Sequence, residues 1–163
     1  MAELELRKME RSPLALALLG QLRFTPGNDK ILCEGGRGFF MDNMNALLGA
    51  PGTLFYFAFE DGAFRGVIYG LPKHWHSYEC HHLYLPGREN RRHVLDFGTM
   101  ALERFWMDTH KTIRFVFGYT PTANRPAMWV ARRMGFTEIG RIPNYAVIEG
   151  KPADVAIFLK ERE

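Results

Sequence analysis

At 163 residues, with 47% apolar and 24% charged side chains, the chain has the size and composition of one soluble globular domain, expected over 1–163. A net charge of +3, from 21 basic and 18 acidic residues, is too mild to argue for nucleic acid, and no apolar run is long enough to span a bilayer. Two cysteines, Cys33 and Cys80, make no disulfide framework, and the opening MAELELRKME lacks the basic-then-apolar order of a signal peptide, so a reducing cytoplasm is expected. In chain order, Leu4 and Leu6 alternate with Glu3, Glu5 and Arg7 as a short first strand. Ser12-Pro13 opens a helix over Leu14–Leu22, which Thr25-Pro26-Gly27 breaks. Residues 30–37 read as loop, and a second helix fits Phe39–Leu48 before Gly49-Ala50-Pro51-Gly52 stops it. Two aromatic and β-branched runs then flank Asp61-Gly62, a hairpin signal.

Ser77–Leu85 reads as a further strand, with Glu79, His81, Leu83 and Leu85 on one face and Cys80, His82 and Tyr84 on the other. A polar segment, Arg88–Arg92, leads into a helix over His93–Met107 with Val94, Phe97, Gly98, Ala101 and Phe105 on its apolar stripe. Ile113, Phe115, Phe117 and Tyr119 alternate with Thr112, Arg114, Val116 and Gly118 as a strand. Asn124 caps a helix with Pro126 in its first turn; Ala127, Val130, Ala131 and Met134 form its inward stripe, and Gly135 ends it. Phe136–Ile148 and Ala153–Leu159 close the chain as an antiparallel pair.

The spacing within TPTANRPAMWVARRMGF carries a resemblance. Asn124, Ala127 three on, Val130 six on, Arg133 nine on, then Gly135 and Phe136, is similar to the C-terminal acyl-CoA motif of the GNAT N-acetyltransferase superfamily. The element order agrees over nearly the whole chain. The resemblance implies an α/β (α+β) domain with a mixed, mostly antiparallel sheet of six to seven strands and about four helices. It further implies that the strands ending at Leu85 and Tyr119 are neighbours that splay apart at their C-terminal ends.

The resemblance also implies a site. Acetyl-CoA is the expected co-substrate, its pyrophosphate at the start of the helix after Arg88, among Asn90, Arg91, Arg92, His93 and Val94, where helix N–H groups and arginines favour phosphate. Arginines stand there in place of the superfamily's glycines. Backbone groups of Leu83, Tyr84 and Leu85 are expected along the pantetheine, with Asn124 and Ala127 bordering it. Glu79 and His81 are the candidate bases. The superfamily usually carries an acidic tyrosine seven residues after the Asn; this chain has Ala131, so weak or absent transfer is expected, with Tyr119 or Tyr145 as replacement phenols. Trp129 is a candidate contact for substrate or a partner subunit.

His74, His76, Cys80, His81 and His82 do not recur at zinc-site spacing, and no metal is expected. The primary reading is acetyl transfer from acetyl-CoA to a small-molecule or peptide amine. The alternative is a catalytically degenerate GNAT-fold protein with a binding or assembly role, as in GNAT-like proteins encoded by phages and prophages, which the segments LDFGTMALE and TPTANRPA resemble. The sequence leaves the oligomeric state open, a homodimer being one option; a membrane or nucleic-acid partner is not expected.

Overall fold

The structure is a computed structural model that describes residues 3–23, 36–85, 91–148 and 150–163. Its strands are β1 Leu4–Lys8, β2 Leu54–Glu60, β3 Ala63–His74, β4 Ser77–Tyr84, β5 Phe115–Pro121, β6 Thr137–Ile148 and β7 Lys151–Glu161. The helices among the described residues are α1 Pro13–Arg23, α2 Gly36–Leu48, α3 Arg91–Asp108 and α4 Arg125–Arg133. The strands form one seven-stranded sheet in the order β1-β2-β3-β4-β5-β7-β6. All neighbours are antiparallel except β4 and β5, which are parallel. This is the mixed α/β (α+β) architecture expected from the sequence.

The composition of β2 accounts for the layering. Its run LFYFAFE is buried on both faces, as a strand covered from two sides must be. Phe55, Phe57 and Phe59 turn toward α1 and α2, where Ala15, Leu18, Leu19, Leu22, Met44 and Leu48 meet them. Tyr56 and Ala58 turn the other way, onto Phe97, Ala101 and Phe105 of α3. The Tyr56 hydroxyl reaches through this layer to donate to Asp108 at 3.1 Å, which Lys8 also contacts at 3.2 Å, tying β1 and β2 to the end of α3. The Asp61-Gly62 hairpin forms as expected, with both residues at positive φ (48° and 75°).

Several boundaries differ from the sequence reading. Helix α2 starts at Gly36 rather than Phe39. Strand β3 runs on through Pro72 to His74, and Trp75-His76 forms the turn into β4. Strand β5 begins at Phe115 rather than Thr112, because the chain ahead of it is held in a turn by the Ile113 N–H on the His110 carbonyl (2.9 Å). Ile113 is buried there as a plug against Phe105, which mimics strand alternation in the sequence. On α4 the buried residues are Met128 and Val130. Ala127, Ala131 and Met134 are only half-buried because they line an open cleft.

The β4–β5 contact is short. Ser77, Tyr78 and Glu79 pair with Phe115, Val116 and Phe117, and no pairing continues beyond them. The base of the fork is clamped by the His76 carbonyl, which accepts from the N–H groups of Arg114 (2.8 Å) and Phe115 (3.1 Å). At the level where the strands part, a Cβ on Gly118 would lie 3.1 Å from the Cys80 carbonyl oxygen, a tight contact that a side chain there would relieve only by a small shift. The two strands thus adjoin and splay apart as expected.

Phe57 is fully buried at the centre of the larger core. Phe57→Ala is expected to destabilise the fold by about 3–5 kcal/mol, measured by denaturant unfolding.

Candidate active site

The fork between β4 and β5 opens into a cleft of about 350 Å³. One side of it faces α3 and α4, with Cys80, His82, Tyr84, Gly118 and Thr120 on the strands and Ala127, Val130, Ala131 and Met134 on α4. The other side faces α2 and carries Asn43, Met44, Tyr69, His81, Leu83 and Tyr119. Because side chains alternate along a strand, His81 and His82 stand on opposite faces of the sheet at the edge of the same gap.

Backbone direction follows from one bond. The Leu85 N–H donates to the Arg65 carbonyl at 2.7 Å, toward β3. By alternation Leu83 and His81 also turn their peptide groups to β3, whereas His82 and Tyr84 turn theirs toward the gap. Of the three residues expected to offer backbone groups there, Leu83, Tyr84 and Leu85, the middle one faces the gap. His82 joins it.

On the α2 face, Glu79 organises a polar cluster. Its carboxylate meets Lys73 Nζ at 2.8 Å and His81 Nε2 at 2.9 Å. The His81 hydrogen bond, which outweighs the opposing effect of burial, and then Lys73 hold the Glu79 carboxyl at about 2, so it is ionised at neutral pH. With Nε2 facing the Glu79 carboxylate, Nδ1 is the ring nitrogen on the other side of the imidazole. The His81 ring stacks on Tyr69 (centroids 4.9 Å, 14° between planes), and Tyr69 stacks on Phe55 (5.0 Å, 10°). Three aligned rings across β2, β3 and β4 thereby hold the imidazole against the core. Burial, with the nearby Glu79 carboxylate adding to it, pushes the Tyr69 phenol well above its ordinary value.

On the opposite face the groups are neutral. Burial lowers His82 to about 4, with the neighbouring His81 adding to the effect. Burial likewise raises the Cys80 thiol to about 12 and pushes the Tyr84 phenol up. The Tyr84 ring lies across Gly66, where a Cβ would stand 2.6 Å from its Cδ1.

Both flanking helices begin at the wide end of the fork. Asn124 caps α4 as expected, its Oδ1 accepting from the Ala127 N–H at 3.2 Å. Helix α3 begins at Arg91; Arg88 and Asn90 lie outside the described residues, as does Cys33. His93 turns its Nδ1 onto Glu60 at 2.5 Å, where Arg65 Nε also meets the carboxylate at 2.9 Å. This pairing anchors the first turn of α3 to the end of β2, with Val94 half-buried beside it.

Tyr119 is 38% exposed and meets Phe117 edge-on at 5.8 Å and the exposed Tyr145 at 6.1 Å. It belongs to the α2 face with His81, across the sheet from Ala131. Trp129 lies outside the cleft lining, with the Arg133 guanidinium 5.6 Å from its ring centroid. Among the described residues no three His, Cys, Asp or Glu side chains gather as a metal cluster, and no helix is long and apolar enough to cross a membrane.

No known family profile and no curated protein matches the sequence. Solved structures do match in fold. Spermidine N-acetyltransferase SpeG from Vibrio cholerae, in complex with CoA and spermine, aligns with TM-score 0.77 and 14% identity over 97% of this chain and 95% of its own. RimL, a ribosomal-protein alpha-N-acetyltransferase in complex with coenzyme A, aligns with TM-score 0.77 and 18% identity over 97% and 93%. A putative acetyltransferase from Acinetobacter baylyi aligns with TM-score 0.76 and 14% identity over 98% and 94%. The seven-stranded sheet with its helices therefore has the fold of GNAT acetyltransferases.

Acid should destabilise this protein in two stages. His82 binds a proton less readily folded than unfolded, so its contribution is complete above pH 6.5 and is lost as pH falls toward 4. Glu79, held below its ordinary 4.5, contributes stability that is lost as pH falls from there toward 2. At about 1.4 kcal/mol per unit, the His82 stage is worth up to about 3 kcal/mol. Melting curves from pH 7.5 to 3 should show both stages, and His82→Gln should flatten the upper one alone.

Proposed function

We propose that this chain transfers an acetyl group from acetyl-CoA to a primary amine. The observation that carries the reading is the fork of β4 and β5, with peptide groups of one strand turned into the gap and two helix N-termini at its open end. A helix N-terminus favours phosphate through its unpaired N–H groups and the positive end of its dipole. The start of α3 suits the pyrophosphate, with His93 and Val94 in its first turn and Arg88, Asn90, Arg91 and Arg92 as further candidate partners. The gap suits pantetheine, held by the peptide groups of His82 and Tyr84 and bordered by Leu83, Leu85, Asn124 and Ala127.

The amine enters from the α2 face, past Asn43, Met44 and Tyr119. His81 Nδ1 takes its proton as nitrogen attacks the thioester carbonyl, and the ionised Glu79 steadies the imidazolium through Nε2. A gap-facing peptide N–H of β4 receives the charge that develops on the carbonyl oxygen. The bound CoA of SpeG and RimL supports the choice of donor, and the spermine bound to SpeG makes polyamines one class of acceptor to examine.

Thermal melts with and without acetyl-CoA test the donor: binding to the folded state must raise the midpoint. Replacing Arg91 and Arg92 together by Ala is expected to reduce that shift and its sensitivity to salt. Turnover is then followed with a panel of amines that includes spermidine, arylalkylamines and a peptide N-terminus. His81→Ala should lower kcat by about 10²-fold or more with the acetyl-CoA shift retained. A midpoint that acetyl-CoA does not move points instead to a non-catalytic binding or assembly role.

A further inference from the structure

We propose that His82 is a catalytic residue that hydrogen-bonds the departing sulfur from the α4 side of the gap, complementing His81 on the other face of β4. The proposal rests on the acyltransferase reading above. In that reaction the amine lone pair forms a bond to the thioester carbonyl carbon, the C–S bond breaks, and its electron pair goes to sulfur. The amine's proton goes to His81. The sulfur is left with a negative charge inside a cleft, and it departs faster if a donor stabilises that charge as it forms.

Helix α4 offers no such donor. Its cleft-lining residues are Ala127, Val130, Ala131 and Met134, all apolar. Asn124 stands at the wide mouth, where its side-chain oxygen holds the cap of α4. Cys80 is a weak donor with its thiol raised to about 12. Tyr119 and its hydroxyl stand on the opposite face.

His82 is on the α4 side of the cleft. Glu79 pairs with Phe117, so three residues further along β4 brings His82 level with Thr120 of β5. Thr120 pairs with Ala156 of β7, and Ala131 of α4 packs on the cluster of Met128, Ala156 and Phe158. His82 and Ala131 therefore stand on one side of the fork, both lining the cleft. Among the described residues the His82 ring touches the Tyr84 ring, with centroids 5.7 Å apart, and makes no hydrogen bond. Its depressed pKa of about 4 keeps it neutral at pH 7, with one ring N–H to give and no positive charge to solvate. His82 keeps its proton throughout, and the thiolate is protonated by water once released.

The test compares wild type with His82→Ala and with His82→Phe, an aromatic ring without an N–H that serves if the alanine variant fails to fold. Acetyl-CoA binding is followed by thermal shift, and kcat is measured with acetyl thioesters of one pantetheine frame whose leaving thiols differ in acidity. Loss of the donor is expected to lower kcat with acetyl-CoA by about 10²-fold and to leave the thermal shift in place. The loss should be larger for the less acidic leaving thiol, which a merely structural role would not produce. His82→Gln, which retains an N–H, should keep more of the activity. Ala131→Tyr, placing a phenol on the same side of the cleft, should restore part of what His82→Ala loses. An unchanged kcat, an equal loss for both thioesters, or a loss that appears in Thr120→Val or Tyr119→Phe instead would overturn the role of His82 alone. If acetyl-CoA fails to shift the wild-type midpoint, the acyltransferase reading falls, and this proposal with it.

Discussion

The molecule is built around a β-ladder that stops early. Strands β4 and β5 are paired for three residues each and then diverge, although both continue as strands. Each is secured on its outer side, β4 by the antiparallel β1–β3 meander and β5 by β7, so neither needs the other to stay extended. The His76 carbonyl clamps the base of the fork, and Gly118 stands where the parting begins. Beyond that point lie the peptide groups that lose a ladder partner, the two helices that start at the open end, and the histidines on either side of the gap, with Glu79 at the last paired position beneath them. A fully paired sheet of the same sequence would have no cleft.

The two faces of the fork differ electrostatically for packing reasons. On the α2 face a carboxylate is kept ionised by a lysine and an imidazole, and a stack of three rings keeps that imidazole in place. On the α3 and α4 face, thiol, phenol and imidazole are all held in their neutral forms by burial. Neighbouring residues of one strand thus experience different media. A reaction that needs a proton acceptor on one side and an uncharged hydrogen-bond donor on the other finds both within one dipeptide.

The order of elements was legible in the sequence because local chemistry dictates it. Asp61-Gly62 sets a hairpin, Asn124 with Pro126 opens a helix, and Gly135 at φ 78° closes it. What misled was apolar periodicity without its context. Ile113 extends the alternation of β5 but is a plug in a turn, and Met128 carries the buried side of α4 while Ala131 and Met134 face a cleft. The candidate bases Glu79 and His81 could be named from alternation alone. Their linkage to Lys73 and Tyr69 depends on the register of β3 against β4, which no local signal encodes. The setting of His82 is hidden for a related reason: its neutrality comes from packing, and its place opposite α4 comes from the β4–β5 and β5–β7 registers together.

The alternation of β4 has a consequence for how this chain can vary. Between Ser77 and Tyr84 the strand pairs with β3 without a bulge from Tyr78 onward, so each position has a fixed parity. Inserting or deleting one residue there would keep a foldable strand of similar composition, yet it would exchange the surroundings of two successive imidazoles. The ring now stacked on Tyr69 and bonded to Glu79 would face α4, and the ring now facing α4 would enter the polar cluster. Loops can gain and lose residues without touching the chemistry; this stretch can change length only in steps of two.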